Sequence, residues 1–207
     1  MNTTDTTSTT DTTSATAATG AVTAPSVAAA AAHRRVDEPL SALLGSVPSD
    51  GWSATSPCEG WSARDVVRHL IETQREFLTG QDLDLGPAPD VDADPAAAWR
   101  VHTARVSALL ADPAVSARGF DGFFGPTTIG ATFERFYVWD MVVHRWDIAR
   151  ATGTDEALTG YELDMIETGA DSFGPTLYMD GICGPAVDPP DGADRQTSLL
   201  ARLGRAT

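Results

Sequence analysis

The stretch YVWDMVVHRWDIARATG, Tyr137–Gly153, decides how this chain folds. Its large apolar residues recur at helical spacing, and the pattern extends back to about Thr128. A long helix is therefore expected from near Thr128 to near Gly153, with Phe133, Phe136, Tyr137, Asp140, Met141, His144 and Ile148 facing inward. Asp140 and His144 are four residues apart, which sets their side chains next to each other, about 5–6 Å apart at Cβ. A lone buried carboxylate costs roughly several kcal/mol unless it is paired or neutralised. Two arrangements relieve that cost. His144 can be protonated and pair with Asp140, or both can ligate a divalent cation inside a helical bundle.

The same reading extends outward to other helices. One is expected over about 33–47, HRRVDEPLSALLGSV, with Val36, Leu40, Leu43 and Leu44 on one face. A second follows the turn SPCEG, with Ser62 as N-cap and Asp65 completing a capping box. Val66, Val67, Leu70, Ile71, Gln74, Phe77 and Leu78 form its inward face, and Gly80 ends it. A third covers about 95–111, with Asp94 as N-cap and Pro95 in its first turn. Shorter helices are expected over about 159–172 and Thr197–Leu203, within a C-terminal segment rich in Gly and Pro. No strand alternation stands out, and GFDGFFGPTTIG is read as a loop. The fold class is all-α, with four main helices.

Residues 1 to 32 are almost entirely Thr, Ala, Ser and Gly. So few large apolar side chains do not offset the entropy of ordering, so a disordered tail is expected there and one helical domain over 33–207. The tail has neither the basic start nor the Leu-rich run of a secretory signal. No run approaches the roughly 20 apolar residues of a membrane span, and the formal charge of −15 disfavours a phosphate backbone. No membrane and no nucleic-acid partner is expected, and the two cysteines, Cys58 and Cys183, read as free thiols of a cytoplasmic protein.

A catalytic zinc site takes three protein ligands and keeps one position open. From the residues alone, His69 on the second helix is the natural third ligand. His102 on the third helix competes with it, and His33 is the weakest candidate. Asp147 either faces solvent or supports a ligand from behind. Cys58 is either a small turn residue or a thiol activated by a helix N-terminus. Phe123, Phe124, Tyr137 and the tryptophans are candidates for the wall of a pocket over the metal.

SPCEGWSARDVVRHL resembles the Pro-Cys-x-Gly-Trp…His block of the mycothiol-dependent maleylpyruvate isomerase metal-binding domains, within the DinB-like superfamily. WDMVVHRWDIARATG resembles their acid-x-x-x-His-x-Trp-Asp helix, and the C-terminal segment is similar to that of a short actinobacterial subgroup. The resemblance implies a DinB-like four-helix bundle with His69, Asp140 and His144 as metal ligands. It further implies zinc or nickel as the metal, and mycothiol or a similar low-molecular-weight thiol as co-reactant. The isomerase has Glu where this chain has Asp140, and a further C-terminal domain for which 207 residues leave no room, so maleylpyruvate isomerisation itself is not carried over. Two functions are expected to compete. One is a metal- and thiol-dependent isomerase or S-transferase acting on a small electrophile. The other is a non-catalytic metal-binding or structural module acting through protein partners.

Overall fold

The structure is a computed structural model that describes Met1 and residues 24–206 apart from 180. Helix α1 spans Ala24–Ser46, α2 Ala63–Gly80 and α3 Pro95–Ala111. A one-turn α4, Pro113–Ser116, leads into a hairpin of β1, Gly119–Gly122, and β2, Gly125–Thr128. A continuous helical run then passes through α5, Ile129–Thr132, a π-helical turn, Phe133–Val138, and α6, Trp139–Thr152. Helices α7, Gly160–Phe173, and α8, Arg195–Arg202, complete the chain.

Helices α1, α2, α3 and the α5–α6 run form a DinB-like four-helix bundle: α1 packs on α3 and α6, and α2 on α6 and α3. Helix α7 closes over α6, and α8 packs on α7. As a result α6 is enclosed on every side, and each residue from Met141 to Ala149 is buried. Its charged members therefore need partners. Arg145 donates from Nε and Nη2 to the buried Glu162 of α7, at 2.8 and 2.9 Å.

The local signals behave as their chemistry dictates. Ser62 and Asp65 form the capping box of α2, and Asp94 caps α3 ahead of Pro95. Gly153 takes the left-handed conformation (φ 67°) that ends α6. The long helix runs from Ile129 to Thr152, as the periodicity indicates, but its continuity is broken at Phe133–Val138 by the wider π turn. Gly169 of α7 allows a close approach to α6. A Cβ there would collide with the indole of Trp139, whose Nε1 donates to the Ile166 carbonyl of the same helix.

Two expectations change. The segment read as a loop contains the β1–β2 hairpin, in register Gly119↔Thr128 to Gly122↔Gly125. Short strands flanked by Gly carry almost no alternation, so pattern alone does not reveal them. The start of the first helix, expected near residue 33, also moves. Helix α1 begins at Ala24, nine residues before His33, and Ala29 is buried beside Gly130 of α5. Alanine has the highest helix propensity, and an alanine run adopts a helix once a neighbouring surface covers it. Residues 2–23, the greater part of the expected tail, lie outside the described residues. A chain starting at His33 should thus melt several degrees below one starting at residue 24, since it loses the turns that pack on α5. Equal midpoints in thermal denaturation would show that these turns contribute nothing.

Candidate metal centre

The turn before α2 is closed by Trp61 N–H donating to the Cys58 carbonyl (3.0 Å) and Ser56 N–H to the Trp61 carbonyl (2.9 Å). Gly60 supplies the left-handed residue (φ 78°) that this turn requires. It presents Cys58 and Trp61 to the same cavity as His69, about two helical turns further along the chain. Across that cavity, α6 presents Asp140 and His144.

The three residues meet. His69 Nε2 lies 3.3 Å from Asp140 Oδ2, and His144 Nε2 lies 3.3 Å from Asp140 Oδ1. One donor atom from each falls within 4.8 Å of the other two. The imidazoles of His69 and His144 sit edge to face at 5.0 Å, and Trp61 covers both, at 4.9 and 6.2 Å. His69 and Asp140 keep about a quarter of their side chains exposed to the cavity, whereas His144 is nearly enclosed.

Behind His144 stands a second layer. His144 Nδ1–H donates to Asp147 Oδ2 at 2.9 Å, which fixes the ring and aims Nε2 at the cavity. Asp147 is fully buried. It is held in turn by Arg205, whose Nη2 and Nε donate to its two oxygens at 2.9 and 3.2 Å. The Cys58 thiol donates to the same carboxylate at 3.4 Å. Arg205 arrives there through a Schellman ending of α8: its N–H bonds the Leu200 carbonyl, and Gly204 adopts φ 82° against the backbone of Gly184 and Pro185.

The electrostatics follow from this layering. Burial alone would lower the pKa of His144, but Asp140 and Asp147 on either side raise it well above the usual imidazole value. Burial opposes ionisation of Asp147, yet its bonds to His144 and Arg205 hold its pKa down at about 2. Burial likewise disfavours the Asp140 anion, and the two imidazoles more than offset this. Both carboxylates are therefore anionic at neutral pH.

The sequence-derived candidates sort clearly. His69, Asp140 and His144 come together. His102 does not join them. It is buried elsewhere, with Nε2 at 2.9 Å from Gln74 Oε1, and burial lowers its pKa to about 3. His33 is also away from the cluster, between the hydroxyls of Ser107 and Thr103 and edge-on to Phe133. Asp147 is bonded to His144 rather than facing solvent, and Cys58 and Cys183 are free thiols on the cavity wall. Of the aromatic candidates, Trp61, Tyr137 and Trp139 line the cavity, while Trp99 and Trp146 are core. Phe123 and Phe124 form the exposed tip of the hairpin and do not line it. Phe124 instead stacks on Phe136, which does. Reading the sequence did not single out Arg205. Its only signal is the Gly just before it, which marks a helix end without saying where the next side chain points.

Residues 33–149 match the family described as mycothiol maleylpyruvate isomerase N-terminal domain. The chain belongs to that family. It is 28% identical over 126 residues to the uncharacterized protein Rv0738 of Mycobacterium tuberculosis, covering 59% of this chain and 66% of that one. It is also 28% identical to Rv0036c of the same organism over 147 residues, covering 58% and 54%. The chain thus spans between about half and two thirds of the length of these relatives. No solved structure matches it significantly. Both helices that carry the cluster, α2 and α6, begin inside the stretch matched to the isomerase domain family, whereas Cys183 and Arg205 lie beyond it. Among the described residues no helix is long and apolar enough to cross a membrane.

Proposed function

We propose that this isomerase-type domain binds one divalent metal ion through His69, Asp140 and His144, and uses it with a low-molecular-weight thiol, mycothiol or a relative, to isomerise or S-conjugate a small electrophile. The observation that carries the reading is the convergence of the three donor atoms on the wall of a cavity of about 1020 Å³. A structural ion-pair cluster needs no such space beside it.

The donor set suits zinc or nickel: two imidazoles, one carboxylate, and an open side toward the cavity. The hydrogen bond from His144 Nδ1–H to Asp147 is the arrangement in which metal-ligating histidines are usually held. Bound there, such an ion would supply Lewis acidity and favour a thiol in its thiolate form. The chain's own residues do the rest. Asp147 fixes the His144 tautomer, Arg205 fixes Asp147, and Asp140 supplies the only negative charge among the three donors. Trp61 shields one flank of the two imidazoles from water.

The test is metal per chain after exhaustive dialysis. His69→Gln and Asp140→Asn should each lower metal affinity tenfold or more. Asp140→Glu, which keeps the charge, should retain the metal, and His102→Gln should leave it unchanged. With cobalt in place of zinc, an added thiol should produce a sulfur-to-metal charge-transfer band. Retention of metal by His69→Gln and its loss from His102→Gln would overturn the ligand set. Metal binding with no spectral response to any thiol would leave the centre structural, and the alternative of a non-catalytic module would stand.

A further inference from the structure

The cavity wall has a chemical bias that the metal cluster does not explain. On the same helices as the donors, Phe77 stacks on Tyr137 with ring centroids 5.1 Å apart, and Phe136 meets Phe173 of α7 edge to face at 5.4 Å. All four line the cavity, and the exposed Met179 and Ile182 continue the apolar surface at its rim. Apart from the cluster and Arg205, the charged groups on the wall are Glu59 and Glu76, both exposed.

The only arginine among the described cavity-lining residues is Arg205. It is fully engaged: Nε and Nη2 bond Asp147, and Nη1 donates to the Leu203 carbonyl at 2.9 Å. The sequence contains no lysine, and its undescribed positions contain no arginine. Arg135 stands outside the cavity, with its guanidinium 4.3 Å from the centre of the Phe124 ring and its Nη2 bonded to the Ser172 carbonyl. A ligand carboxylate lying along this wall would therefore exchange water for aromatic rings and two like charges, which is strongly unfavourable. The net charge of −15 adds long-range repulsion for a dianion.

Resting on the reading of this cavity as the substrate site, we infer that it takes a neutral ligand with an aromatic or extended apolar body and discriminates against dicarboxylates. The reactive end lies at His69, Asp140 and His144, and the body lies on Phe77, Phe136 and Tyr137. The size agrees, since about 1020 Å³ exceeds what a three- or four-carbon acid would fill.

Calorimetric titration of the full chain tests this, after chelator treatment so that no metal attracts a carboxylate. Three probes serve: cinnamyl alcohol, cinnamate with the same aromatic body and one charge, and maleate. Cinnamyl alcohol should bind at least tenfold more tightly than either anion. Phe136→Ala should weaken it fivefold or more. Glu76→Gln, an exposed change that does not threaten folding, should tighten cinnamate severalfold and leave cinnamyl alcohol unchanged. Equal or tighter binding of either anion, no binding of cinnamyl alcohol at millimolar concentration, or indifference of cinnamate to Glu76→Gln would overturn the inference. These titrations contain no metal. An anion preference would sink this inference alone, and a chain that holds no zinc would sink the metal-centre reading alone.

Discussion

Arg205→Met is expected to lower the free energy of unfolding by about 3–5 kcal/mol, the range found when one partner of a buried ion pair is removed. Asp147 has no exposed surface, and Arg205 contributes both of its charge-assisted bonds from outside the α6 helix. Without the guanidinium, the carboxylate keeps only His144 and the Cys58 thiol as donors. For a domain of this size the loss corresponds to a drop of roughly 10 °C in Tm. The double variant Asp147→Asn with Arg205→Met removes both charges and should recover part of the loss, giving a coupling energy of about 1–3 kcal/mol in a double-mutant cycle. The effect should reach the proposed metal centre too. If Asp147 shifts, His144 loses its orientation and metal affinity falls roughly 10- to 100-fold. Unchanged stability in Arg205→Met, measured by denaturant unfolding, would mean that the α8 ending does not hold the site.

Acidification is expected to destabilise the chain steeply between about pH 6.5 and pH 4. His33 and His102 are both fully buried, and burial lowers their pKa values from 6.5 to about 4 and about 3. Among the described residues His102 Nδ1 has no hydrogen-bond partner, so protonation would place an unpaired N–H in the core. In the unfolded chain both rings take up a proton near pH 6.5; in the folded chain they do so only at much lower pH. Within that window the unfolded state binds more protons, so stability is fully present above pH 6.5 and lost as the pH falls. Each histidine contributes about 1.4 kcal/mol per pH unit, on the order of 5 kcal/mol for the pair by pH 4. His144 does not offset this. Its pKa is raised, so the stability it contributes is complete below pH 6.5 and is lost only as the pH climbs through the raised value. The lowered carboxylates begin to matter only below about pH 4, where unfolded carboxylates titrate. Denaturant unfolding at pH 7, 6, 5 and 4 measures the slope, and His102→Gln should roughly halve it. A flat profile, or an undiminished slope in that variant, would contradict the assignment.

Much of the architecture is local chemistry, and local chemistry is written in sequence. Ser62 with Asp65, Asp94 with Pro95, and Gly153 fix helix ends through contacts a few residues long. The spacing of Asp140 and His144 placed them on one face before any partner was known. His69 could be proposed as their companion, but from the residues alone it could not be separated from His102, and the family resemblance made the choice. Both histidines sit on long helices of the bundle, and the pattern does not say which side of each helix meets α6. Where pattern and packing diverge, packing decides. On α6 every face is covered, so the apolar period loses its meaning there and Asp147 and Arg145 become buried charges with distant partners. The alanine run before His33 carries too little surface to predict its own order, yet it folds onto α5 because Gly130 leaves room for Ala29. The helix caps and the pairing of Asp140 with His144 are legible in sequence, since each depends on neighbours within four residues. Folding brings His69 rather than His102 to Asp140 and His144, a choice that periodicity left open and the resemblance implied, and folding alone sets Arg205, 58 positions away, against Asp147. It also decided that the cavity wall is aromatic and acidic. These depend on contacts between segments far apart in the chain, which one-dimensional periodicity does not encode.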